Sequence, residues 1–83
     1  MIPTAWDFQN RLVAILNRAR QSRQSYVDIE SVNLHKEVGG YPNPNHRMPV
    51  CCEVMRKLMR AGDSVIKEPL GEQDATLIIR YAV

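Results

Sequence analysis

Eighty-three residues suit one domain, because chains rarely divide into two below about 100 residues. An apolar share of 45% argues against disorder, and a net charge of +2, from 11 basic and 9 acidic residues, excludes a binder that relies on bulk positive charge. No stretch approaches the roughly 18 apolar residues of a membrane span, and Met1-Ile2-Pro3-Thr4 lacks the basic start and apolar core of a secretion signal. The expectation is a cytoplasmic domain over residues 1–83 with no membrane association.

The first element is the clearest. Thr4 stands three residues before Asp7, an acidic variant of the capping box, and Pro3 precedes it. Phe8, Leu12, Ile15, Leu16 and Ala19 then form one stripe at helical spacing, with Gln9, Arg11, Asn17, Arg18 and Gln21 on the other side. This predicts an amphipathic helix from about Ala5 to Arg23. Tyr26 to Ile29 is rich in β-formers and predicts a brief strand. Ser31 is placed to cap a short helix from Val32 to Val38, with Leu34 and Val38 inward. Gly39-Gly40 ends it, one of the two taking the left-handed conformation that favours glycine.

Tyr41-Pro42-Asn43-Pro44-Asn45 is a stiff, turn-rich connection, and Tyr41 is expected to anchor it on the core. A third helix follows, capped by Asn45 or a neighbour, with Pro49 in its first turn. It is expected to run to about Ala61, and Gly62 closes it. A hairpin completes the chain: Ser64 to Lys67, a loop from Pro69 to Asp74, and Thr76 to Val83 with Leu77, Ile79, Tyr81 and Val83 on one face. So apolar a final strand is expected at a sheet edge, where it would pair with a second subunit. Trp6 and Ala5 would add to that interface.

These elements predict an α+β fold of three helices and a small antiparallel sheet with a C-terminal hairpin. In order and type they resemble the winged helix-turn-helix. The run Gly39-Gly40-Tyr41-Pro42, followed by His46-Arg47-Met48-Pro49-Val50-Cys51-Cys52, also resembles a signature of small uncharacterised bacterial proteins, to which no activity attaches.

On a helical wheel, Cys51, Val54, Met55 and Leu58 share one arc of the third helix, flanked by Met48 and Met59. His46, Glu53, Arg56, Lys57 and Arg60 share the opposite arc. The winged-helix resemblance makes this the recognition helix, lying in the major groove of double-stranded DNA. It implies that His46 and Arg47 lie nearest the bases, with Arg47 pairing a guanine and Asn43 or Asn45 reading an adenine. Arg56, Lys57 and Arg60 would meet phosphates, with Lys67 continuing the basic stripe on the wing. A second reading stays open. A charged outer face, basic towards its C-terminus, is what any solvated helix shows, and Glu68, Glu72 and Asp74 make the wing acidic. That reading is a protein-interaction module or homodimer of the same fold, in which a second subunit supplements a small core.

The remaining candidates carry little chemistry. Cys51 and Cys52 are adjacent, so they read as free thiols in a reducing compartment. With His35 and His46 they are zinc-type ligands by chemistry but not by spacing, and no metal or cofactor is expected. Cys52 beside His46 lacks a third group to orient a nucleophilic pair. His35, Glu37 and His46 match no nuclease motif, and His35 reads as outward-facing. No enzyme is expected.

Overall fold

The computed structural model describes residues 3–39, 47–69 and 76–83. Three helices and three strands alternate as α1 (Ala5–Gln21), β1 (Tyr26–Glu30), α2 (Ser31–Val38), α3 (Met48–Lys57), β2 (Ser64–Lys67) and β3 (Ile78–Ala82). This is the α+β fold of three helices and a small sheet anticipated from the residues.

Helix α1 starts on a complete capping box. The Asp7 N–H donates to Thr4 Oγ1 at 3.3 Å, and the Thr4 N–H donates to Asp7 Oδ2 at 2.8 Å. The helix ends two residues before the expected Arg23, because Arg23 itself turns left-handed, at φ 60°. The Gln24 N–H then reaches back to the Ala19 carbonyl at 3.1 Å, which satisfies a carbonyl the helix leaves open. Glycine is the usual occupant of such a position.

The strands form one antiparallel sheet in the order β1-β3-β2. The last strand is therefore central, not at an edge as its apolar run suggested. Its alternation pairs it on both sides, Asp28 opposite Arg80 and Val65 opposite Ile79, and leaves β1 and β2 as the edges. A bulge at Ile66 shifts the β2–β3 register and leaves that side chain exposed.

Helix α2 begins one residue earlier than predicted. Ser31 is its first helical residue and not its cap; Glu30 holds the cap position without a side-chain bond. Ser31 is instead a buried joint. Its Oγ accepts from the Leu77 N–H at 3.0 Å, and its N–H donates to the Leu77 carbonyl at 2.8 Å. Its carbonyl accepts the Cys51 thiol at 3.6 Å. One residue thus ties α2 to α3 and to the entry of β3. These bonds occupy Leu77, so strand pairing begins at Ile78 and not at Thr76. Helix α2 ends on Gly39, whose φ of 114° suits glycine alone.

Helix α3 is shorter than its apolar spacing implied. Arg47 takes the cap position without a side-chain bond, and Leu58 closes the helix. The chain turns at Ala61-Gly62, with Gly62 at φ 95°. Asp63 fixes this turn: Oδ2 accepts from the Arg60 N–H at 2.7 Å, and Oδ1 accepts from the Ala82 N–H at 2.8 Å. A side-chain cap three residues beyond Arg60 thus replaces the last helical turn.

The core gathers Phe8, Leu12 and Leu16 of α1, Leu34 of α2, and Met48, Cys51, Val54 and Met55 of α3 against Ile29, Leu77, Ile79 and Tyr81. The Tyr81 hydroxyl donates to the Met55 carbonyl at 2.7 Å, so the buried phenol is satisfied. Among the described residues no helix is long and apolar enough to cross a membrane.

Candidate nucleic-acid interface

The inner arc of α3 is as its spacing required. Met48, Cys51, Val54 and Met55 are buried, and Leu58 and Met59 pack beside them. Glu53, Arg56 and Lys57 are exposed on its outer side and Arg47 is exposed at its cap; Arg60, expected on the same arc, is exposed but lies beyond the helix, in the turn that Asp63 holds. Asn43, Asn45, His46 and Tyr41 lie outside the described residues, as do Glu72 and Asp74.

The outer face is less basic than its cations alone suggest. Arg56 grips Glu68, just beyond β2, through two bonds of 2.8 and 3.2 Å. The guanidinium holds the Glu68 carboxyl below its ordinary 4.5 through this hydrogen bonding, and Arg56 is raised in turn. Lys57 pairs with Glu53 at 3.2 Å, one turn earlier on the helix. Both pairs are exposed, so salt screens them and phosphates can compete for the cations. Arg47, Arg60 and Lys67 form no ion pair with another described residue.

The start of α3 is fixed by a residue that the sequence reading turned outward. His35 is fully buried, and its Nε2 accepts the Arg47 N–H at 2.9 Å. Phe8 meets its ring edge-to-face, centroids 4.9 Å apart. The inward position was legible: Ser31, Leu34, His35 and Val38 follow the i, i+3, i+4, i+7 spacing of an inner face. A polar residue type concealed the pattern. Because Nε2 is spent on a backbone donor, it is not free to ligate a metal or attack a proton.

Burial drives the Cys51 thiol up to about 12, with Cys52 adding to the effect. Burial raises Cys52 too, against the opposing pull of Ser31 and Arg56. Both sulfurs are thus held as thiols, the weak form for nucleophilic attack or metal binding. Both are free cysteines, and the described residues contain no group of three metal-ligating side chains.

Positive charge without an acidic partner also stands on α1, where no site was expected. Arg11, Arg18 and Arg20, with Arg23 just beyond, form no ion pair among the described residues, and Asp7 is the one acid on that helix. Counting charges element by element would have shown this. Compared with known proteins, the chain matches no family model, no curated protein and no solved structure.

Proposed function

We propose that this is a nucleic-acid-binding domain that lays α3 in the major groove of duplex DNA. The observation behind this reading is the two-sided character of α3. One face is locked into the core, and the other presents Arg56 and Lys57, with Arg47 at the N-terminal cap, Arg60 in the turn just beyond the helix and Lys67 at the end of the neighbouring strand. Arg47 stands at the helix start, the end that approaches base edges in such docking. Arg60 and Lys67 serve as phosphate contacts. Arg56 and Lys57 reach phosphates by exchanging Glu68 and Glu53 for them, and Asn43, Asn45 and His46 precede Arg47 in the chain. Binding of a labelled random-sequence duplex, measured at low and at higher salt, tests the reading. Affinity should fall steeply with salt, and Arg60→Ala or Lys67→Ala should each flatten the log–log slope by about 1. Arg47→Ala should alter sequence preference instead. No binding at low salt would sink the proposal.

A second reading, a protein-interaction module or homodimer, has its own support. Glu53 and Glu68 interrupt the positive stripe, and Trp6 is 67% exposed with Val13 also open on α1. It predicts a mass above that of one chain in solution, or capture of a partner, lost on Trp6→Ala and independent of duplex.

A further inference from the structure

We infer that the cavity between α1, the α3–β2 turn and β3 is a binding site for a small organic acid, an anion carrying a short apolar group. The cavity measures about 170 Å³, smaller than the range of roughly 300–1,000 Å³ usual for drug-sized ligands. Its apolar lining comes from Val13, Leu16, Leu58, Tyr81 and Ala82. Two arginines, Arg20 and Arg60, are among its lining residues.

What marks the pair is that, among the described residues, neither arginine forms an ion pair although an acid is close at hand. Asp63 lines the same cavity, yet it makes no ion pair with either arginine. Both of its oxygens are spent on backbone donors, the Arg60 N–H at 2.7 Å and the Ala82 N–H at 2.8 Å. Those bonds hold the carboxylate in the turn. Arg20 is steadied by Asn17, whose Oδ1 accepts its Nη1 at 2.9 Å. The Tyr81 hydroxyl points away to the Met55 carbonyl, so this side chain offers the cavity its ring alone. With two cations and one anion, the described residues of the lining are net positive by one charge. A carboxylate meets a fork-shaped donor from α1 or from the turn, and its apolar part covers Val13 and Leu58. A bound acid would thereby clamp α1 to the end of α3. The site does not rest on duplex binding.

The test is a titration of the isotopically labelled chain with hexanoate and benzoate, followed by backbone amide resonances. Hexanamide and benzamide serve as neutral counterparts, and inorganic phosphate as charge without an apolar group. Both acids should shift the resonances of Val13, Asn17 and Ala82 and saturate, while the neutral amides and phosphate bind at least tenfold more weakly. Arg20→Gln and Arg60→Gln should each weaken the acids about tenfold, the loss expected for one charge-assisted hydrogen bond. Arg11→Gln, on the α2 side of α1 beside Val38, should leave binding unchanged. Circular dichroism checks that each variant is folded. Scattered shifts that never saturate, equal binding of the neutral amides or of phosphate, or equal weakening by Arg11→Gln would each overturn the inference.

Discussion

At the scale of single residues, the positions that matter most are polar ones placed where the periodicity asks for apolar ones. His35 fills core volume and accepts the first backbone donor of α3. His35→Ala should cost about 2–4 kcal/mol in denaturant unfolding, from the cavity together with an orphaned Arg47 N–H. A loss below 1 kcal/mol would mean that water or a neighbour replaces the imidazole. Arg23 makes the opposite case. It holds a conformation that costs a side chain about 1–2 kcal/mol, so Arg23→Gly should raise stability by up to about 1 kcal/mol once the greater freedom of the unfolded chain is offset. The thiols add a dependence on pH. Cys51 has a folded value of about 12, above its ordinary 9.0. Its contribution is complete below pH 9 and is lost as pH rises through the window from 9 to about 12, because the unfolded chain gives up that proton first. Alkaline unfolding should therefore shift to higher pH in Cys51→Ala relative to its own neutral stability. In the native protein, Cys52 should be alkylated before Cys51.

At the scale of elements, two acids decide geometry that the apolar pattern leaves open. Asp63 joins the end of α3 to the end of β3. Asp63→Ala removes two hydrogen bonds to a charged acceptor and should cost about 1.5–3 kcal/mol, read as a fall in melting temperature. Glu68 ties the residues after β2 to α3 through Arg56. Its folded value lies below the ordinary 4.5, so the tether is complete above pH 4.5 and opens as pH falls through the folded value. A carboxyl titration of Glu68 should return to near 4.5 in Arg56→Gln. Arg56 thus positions the hairpin in the free protein, a role that its outward place on the wheel did not suggest.

The inner faces of α1 and α3 and the alternation in β3 were legible because they follow from burial alone, which the spacing of apolar residues records. Among the features that escaped that reading are the early end of α3, the central place of β3 and the inward His35. Each depends on a polar contact, as Asp63 makes with Arg60 and His35 with Arg47, or on which strand pairs with which, and neither leaves a periodic mark. The candidate interface was half legible. Arg47, Arg56, Lys57, Arg60 and Lys67 are exposed as expected, but Glu53 and Glu68 could not be assigned to Lys57 and Arg56 without the fold.

At the scale of the whole molecule, the strand order has a consequence for how the chain reaches its native state. Among the described residues β1 pairs with β3 alone, and the Asp28–Arg80 pair closes across 52 residues. The helices can pack as they are made, yet the sheet waits for a strand synthesised after all of them. Long-range closure of this kind is slow, milliseconds or longer where local helical contacts take microseconds, by the order of magnitude that topology sets. During that interval Tyr26 to Glu30 presents an unpaired edge to every other strand nearby. The nascent chain should therefore be most prone to mispairing before Ile78 to Ala82 emerges.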